Sequence, residues 1–332
     1  MPDSRAADAS ISLLRSCKTA IVRVVDDDDS LVRALGQVTI IGTGLLGASL
    51  GLGLRASGFG GRIVGVGRRA STIELARRLV CIDEATTHLG PAVAGGGLVV
   101  LATPLGAFAD LFQQIADHDH PRLVVTDVGS TKQQVCADAR RLLPDATRFV
   151  GCHPMAGSEQ KGPEAARVDL FAGKPCIITP EADTDGHAIE VVRGLWRMMG
   201  MQLIEMTPFE HDRQTARISH LPHAVACLLV KLAVQQDAIN VASTGFRDTT
   251  RVAGGDPTLW TDIFTSNRQE LIDSLDAFGL EIKQLRQWLA DRDDENVLSL
   301  FTETKRRRDQ WVGGLDPSPE RRTSDNQKNT VE

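Results

Sequence analysis

Residues 38–54 read VTIIGTGLLGASLGLGL, and no other stretch restricts the fold as much. An apolar, β-branched run leads into Gly42, Gly44 and Gly47, spaced GxGxxG, and then into an apolar stretch that suits a helix. Each glycine has its own reason to be there. The first makes a tight turn, the second lets backbone approach a pyrophosphate, and the third lets the helix lie against its strand. The N–H groups that open the helix then face the phosphate charge with aligned dipoles. A glycine-rich turn alone says little; between a strand and a helix it points to a parallel α/β sheet that holds a dinucleotide.

The rest of the first two-thirds fits such a sheet. Apolar runs recur at 62–67, 98–102, 122–126, 148–152, 175–179 and 202–206. They lack polar alternation, as strands covered on both faces do. Segments 71–80, 104–118, 131–143 and 186–200 between them are long enough for crossover helices. After Thr207-Pro208 the strand-like runs stop. Residues 209–240 read as one long helix kinked at Pro222. Asp256 and Pro257 read as the N-cap and first residue of a helix reaching about 290, with another over roughly 293–310. Residues 1–36 read as an extension with an acidic run, Asp26 to Asp29, and 313–332 as a disordered polar tail. The expected architecture is α/β: an N-terminal Rossmann-type dinucleotide-binding domain over 37–206, then an all-helical dimerisation domain over 207–312.

Composition excludes several classes. A net charge of −6 gives no reason to expect nucleic acid. The six cysteines form no CxxC pair, which suits buried thiols in a reducing compartment. No run approaches the roughly 20 unbroken apolar residues of a membrane span. Asp3, Arg5 and Asp8 do not suit a signal peptide. The expectation is a soluble cytoplasmic protein with no membrane partner.

The second strand ends in GVGRRAST, residues 65–72. A site for NAD usually places a carboxylate here for the ribose 2′-hydroxyl. Arg68, Arg69, Ser71 and Thr72 stand there instead, and guanidiniums suit a 2′-phosphate unless they are merely solvated. NADP is therefore favoured over NAD. The expected cofactor-binding residues are Gly42, Gly44, Leu45, Leu46 and Gly47, then Arg68, Arg69 and Ser71, then Thr103 and Pro104 after the strand at 98–102.

Four clusters carry candidate chemistry. In TDVGSTKQQV (126–135), Ser130 stands where a strand gives way to a helix, as N-cap or ligand contact. GCHPMAGSEQKG (151–162) places His153, Glu159 and Lys161 after the next strand. In EHDRQTARISHLPHAV (210–225), His220 and His223 share a helix face, while His211 lies too far back to complete a metal site, so no metal is expected. GFRDTTRVAGGDPTLW (245–260) offers Arg251 for a carboxylate, or for a salt bridge to Asp248.

Taken in order over 37–312, these motifs resemble the prephenate/arogenate dehydrogenase family of tyrosine biosynthesis. The resemblance implies oxidative decarboxylation of a cyclohexadienol: hydride to a nicotinamide, a proton from the ring hydroxyl, and loss of the ring carboxylate as carbon dioxide. It implies His153 and Ser130 as catalytic, His153 on the ring hydroxyl and Ser130 beside it near the nicotinamide. It implies His223 and Arg251 at the substrate's carboxylates, Glu159 and His220 in the same pocket, and Trp260 shaping its edge. His223 favours prephenate as substrate, whereas the GRR loop leans towards arogenate, since NADP use is commoner among arogenate enzymes. The 36 residues ahead of the motifs are too few for a chorismate mutase unit, and those after 312 too few for a regulatory domain. A homodimer is expected. The competing readings are a β-hydroxyacid-type dehydrogenase, which would rely on a helical lysine, and a catalytically dead NADP-binding regulator.

Overall fold

The computed structural model describes residues 29–235 and 238–315. Asp26 to Asp28, Cys17 and the tail from 316 onward lie outside them.

Eight strands form one sheet: β1 Gln37–Ile41, β2 Arg62–Val66, β3 Glu84–Thr86, β4 Gly97–Leu101, β5 Leu123–Asp127, β6 Phe149–Pro154, β7 Pro175–Thr179 and β8 Gln202–Glu205. Their order is β3-β2-β1-β4-β5-β6-β7-β8. The direction of winding reverses between β1 and β4, so a crevice opens beyond the carboxyl ends of these strands. Helices α1 Ser30–Arg33, α2 Leu45–Ala56, α3 Ala70–Arg78, α4 Leu89–Val93, α5 Phe108–Ala116, α6 Gln133–Leu142 and α7 Gly186–Met198 pack around the sheet. One core joins α2 and α7 through Leu50, Leu54, Val192 and Trp196; the other joins α4, α5 and α6 through Val93, Phe112 and Val135.

Three details differ from the sequence expectation. β6 and β7 pair antiparallel, His153 opposite Ile177, within an otherwise parallel sheet. A parallel return needs a crossover helix, and residues 155–174 form only a 3-10 turn at Pro163–Ala165. β3 was missed because it is three residues long and carries Glu84. The last part of the expected N-terminal extension is also folded: α1 places Val32 fully inside the core beside α7.

The helical part begins with α8 Pro208–Thr215, a π turn at Ala216–His220 and α9 Leu221–Gln235. Thr207 and Glu210 cap α8 reciprocally. Pro222 cannot donate to the carbonyl of Ile218 and its ring would collide there, so the turn just ahead of it widens. The helix is described as far as Gln235, and Ala238–Val241 form a 3-10 turn where the helix was expected to reach 240. α10 Thr244–Thr250 and α11 Pro257–Ser266 follow, with Asp256 accepting from the N–H groups of Thr258 and Leu259 as its N-cap. The single helix expected to reach 290 is interrupted at Asn267, and α12 Arg268–Asp291 and α13 Asp294–Leu315 are the last described elements. The chain separates into two compact units, residues 1–272 and 273–332. The second consists of most of α12 and all of α13, and leaves Leu280, Ile282, Leu298, Phe301 and Trp311 exposed.

Candidate active site

The phosphate end of the crevice is built by glycines. Gly42 has φ +100°, and a Cβ there would lie 2.6 Å from the carbonyl oxygen of Ala102. A Cβ at Gly47 would lie 2.0 Å from the oxygen of Gly42, so only glycine lets α2 start this close to β1. Gly44 is the opposite case, with nothing within 4 Å of its Cβ position. It caps α2 without any side-chain hydrogen bond, so the N–H groups of the first turn, through Leu45, Leu46 and Gly47, are left for a ligand. Arg68 and Arg69 stand exposed at the end of β2, with Ser71 in the first turn of α3, and neither guanidinium has an ion pair among the described residues. Thr103 and Pro104 follow β4 at the same edge. This cradle fits a dinucleotide: open backbone at the pyrophosphate position, and two arginines without ion pairs among the described residues beyond β2.

The reactive end lies two strands further along. β5 and β6 are neighbours in parallel register, so Ser130 and His153 emerge from adjacent strands at the same edge. His153 is the penultimate residue of β6 rather than a loop residue, which makes its backbone more rigid than expected. Its Nδ1 lies 2.8 Å from Nε2 of His211, and His211 Nδ1 lies 2.7 Å from Oδ1 of Asp212. The same carboxylate accepts the backbone N–H groups of Lys132 and Gln133 at 2.7 and 2.9 Å. Asp212 therefore caps α6 from a distance. Ser130 is not that cap; the residue is half-buried, and its hydroxyl makes no hydrogen bond among the described residues.

Below these groups, Lys132 and Asp127 form an ion pair in which both side chains are fully buried. Asp127 also accepts from the N–H of Cys152 and of Gly129, tying the Ser130 loop to the strand of His153. Burial, reinforced by His211, Lys132 and His220, holds the His153 imidazole well below its ordinary 6.5. It is neutral at physiological pH. Burial also lowers His211, against the opposing pull of Asp212, and pushes His220 down to about 4.

His220 sits in the π turn and His223 just beyond it. His223 stacks on Trp260 with ring centroids 3.6 Å apart and 11° between planes, and Phe264 meets both rings edge-on. Asn267 reaches His220 Nδ1 at 3.1 Å. Arg251 is exposed at the end of α10 and makes no ion pair among the described residues; Asp248 pairs with Arg247 instead. Lys161 pairs with Asp256, fastening the loop after β6 to the start of α11, while Glu159 in that loop is exposed.

The structure thus brings His220 and His223 together with Trp260 and pairs His153 with His211, and it leaves Glu159 and Arg251 at the surface. Sequence reasoning set His211 aside as too far from His220 for a shared metal, and gave Asp212 and Asn267 no role. Their partners lie 58, 80 and 47 residues away in the chain, so no local spacing announces them.

Residues 50–205 match the family model for the prephenate dehydrogenase nucleotide-binding domain, and residues 207–303 match that for its dimerization domain. A prephenate dehydrogenase of Bacillus subtilis is 34% identical over 281 residues, which is 82% of this chain and 75% of that protein. The chain belongs to the prephenate dehydrogenase family. Among solved structures, the A. aeolicus prephenate dehydrogenase in complex with hydroxyphenyl propionate and NAD+ superposes with a TM-score of 0.79 at 32% identity, covering 83% of this chain and 98% of that one. A Synechocystis arogenate dehydrogenase gives a TM-score of 0.73 at 32% identity, covering 83% and 99%. Membership carries a dehydrogenase activity that uses a pyridine nucleotide. Ser130 and His153 lie in the first matched segment, and His211, His220, His223 and Arg251 in the second. The helical stretch 208–235 is long and apolar enough to cross a membrane by composition alone. Here it carries His211, Asp212, His220 and His223 on its buried side, as a helix of a folded enzyme does.

Proposed function

We propose that the chain is a prephenate dehydrogenase that converts prephenate to 4-hydroxyphenylpyruvate with NADP as its preferred cofactor, acting in the cytoplasm as a homodimer. The observation that carries this reading is His153, a buried neutral imidazole held by His211 at the same sheet edge as the glycine cradle. When bound, the pyridine nucleotide supplies the hydride acceptor. His153 takes the proton of the ring hydroxyl as hydride leaves the same carbon, and Ser130 completes the hydrogen bonding to that oxygen. His223, fixed against Trp260, and Arg251 receive the anionic ends of the substrate, with His220 and Glu159 in the same pocket. Arg251 holds the carboxylate that stays, because a tight clamp on the departing one would oppose its loss. Arg68, Arg69 and Ser71 receive the 2′-phosphate of NADP. Exposed Leu228 and Leu232 on α9 support burial against a second copy.

The test is a crossed assay of the purified protein: prephenate or arogenate, each with NAD or NADP, followed by absorbance of the reduced cofactor. Prephenate with NADP is expected to give the highest kcat/KM. A higher value with arogenate overturns the substrate assignment, a higher value with NAD the cofactor assignment, and no turnover in any combination the enzymatic reading.

Arg251→Gln should raise the substrate KM by about tenfold to a hundredfold, the worth of one charge-assisted hydrogen bond, and change kcat less. Steady-state kinetics decide this. A fall in kcat at unchanged KM would remove Arg251 from the anchoring role.

A further inference from the structure

We infer that His211 and Asp212 are positioning residues that preset His153 as a proton acceptor, by fixing which of its ring nitrogens carries hydrogen. This rests on the proposal that His153 is the base. The carboxylate of Asp212 contacts two backbone N–H groups, that of Lys132 on Oδ1 and that of Gln133 on Oδ2. An amide N–H only donates, so both oxygens act as acceptors. The third contact, His211 Nδ1 at 2.7 Å, is therefore also a donor. A neutral imidazole has one N–H, so His211 Nε2 carries a lone pair. Among the described residues its partner is His153 Nδ1, at 2.8 Å, from which it accepts. His153 thereby places its single hydrogen on the inner nitrogen, and its Nε2 lone pair is left for the substrate.

The direction of the chain follows from the fixed polarity of two peptide groups, which no proton exchange can reverse. It also gives the incoming proton a route. Once His153 Nε2 is protonated, Nδ1–H can pass to His211 Nε2, which moves one proton and no electrons and leaves the charge on the ring that touches Asp212. Burial opposes that charge most and Lys132 opposes it too, while Asp212 and Asp127 favour it. Asn267 applies the same logic to His220. Its Nδ2 must donate to the backbone oxygen of Asp212 at 2.8 Å, so its second hydrogen faces His220 Nδ1 as donor, and His220 keeps its proton on Nε2. The two imidazoles are thus preset with opposite hydrogen-bonding character.

Nitrogen-15 NMR of the ring nitrogens in the full-length protein above pH 7.5 reads the state directly. His153 is expected as the Nδ1–H tautomer; the Nε2–H tautomer overturns the inference whatever the kinetics show. Asp212→Asn keeps one oxygen for the two amides, and with its NH2 at the Oδ1 position it places a donor against His211 Nδ1 and gives up the Lys132 N–H. That reverses both rings and makes His153 Nε2 a donor. His211→Leu removes the acceptor altogether and should lower kcat by about a hundredfold with substrate KM little changed. His211→Gln places an amide oxygen near the Nε2 position and should recover kcat to within about tenfold of wild type. Equal losses in the Leu and Gln variants would indicate a packing role and overturn the inference, as would a fully active His211→Leu when His153→Asn is inactive. An active His153→Asn would remove the base itself and the inference with it, while the tautomer measured in the wild type would still stand as a separate fact.

Discussion

His153→Asn is expected to lower kcat by about a thousandfold or more, while the dissociation constant of the nucleotide stays near the wild-type value. An asparagine amide cannot take up a proton near neutral pH, yet its nitrogen falls close to the position of imidazole Nδ1. It can still donate to His211, so the buried network and the antiparallel pairing of β6 with β7 are retained. The proposed nucleotide cradle at Gly42, Gly44 and Gly47 lies on a different part of the sheet edge and should not register the change. Stopped-flow or steady-state rates with a parallel nucleotide titration check both halves. Unchanged turnover would remove His153 as proton acceptor; a loss of nucleotide affinity equal to the loss of rate would show that the variant has lost its fold. The pH profile provides a second check with a definite sign. His153 titrates well below 6.5 in the folded chain, so the acid limb of kcat/KM should also lie below 6.5, where the imidazole becomes charged and ceases to accept.

Much of this protein was legible in its sequence because the decisive signals are local. GxGxxG needs only a strand before it and a helix after it, and Asp256-Pro257 needs only its own first turn, so the strand was placed within a residue and the helix start at Pro257 to the residue. Strand direction was less legible. The antiparallel return of β7 depends on what residues 155–174 fail to form, and a glycine-rich loop does not say where it leads. The proposed base, His153, could be named from the motif around it, but not the reason it would work. His211 was judged by its distance along a helix from His220, whereas its partner is on a strand 58 residues earlier. Buried polar networks are assembled across the fold, and each member looks like an ordinary surface residue until its partners are in place. Ser130 shows the converse. A helix cap was a fair local reading, and the structure gives that task to Asp212, 80 residues from the first amide it caps.

Lys132→Met is expected to cost about 3–5 kcal/mol of stability, because it leaves the Asp127 carboxylate buried without its cation. Both side chains of the pair are fully buried, and burial alone drives the Asp127 carboxyl upward, with the ammonium as the main opposing influence. The two N–H groups that remain, from Gly129 and Cys152, orient the carboxylate but cannot neutralise it. Methionine matches the length and much of the volume of lysine, so the loss is one of charge rather than packing. The backbone N–H of Lys132 that reaches Asp212 is unaffected, so the His211–Asp212 contact is predicted to survive. Thermal melting at pH 8 should show a drop of roughly 10 °C, diminishing as the pH falls and Asp127 can be protonated. The sign is that of a carboxyl raised by burial: without lysine, the folded state binds a proton more readily than the unfolded one, so the folded state gains relative stability as the pH falls. Adding Asp127→Asn to Lys132→Met should restore most of the lost stability, since a neutral amide can stay buried beside methionine. A double variant as unstable as the single one would show that the pair contributes through shape rather than charge. The prediction also bears on function, because Asp127 joins the loop of Ser130 to the strand of His153. If the ion pair sets the spacing of the two groups, Lys132→Met should lose turnover below its melting temperature, and the double variant should recover stability before it recovers rate.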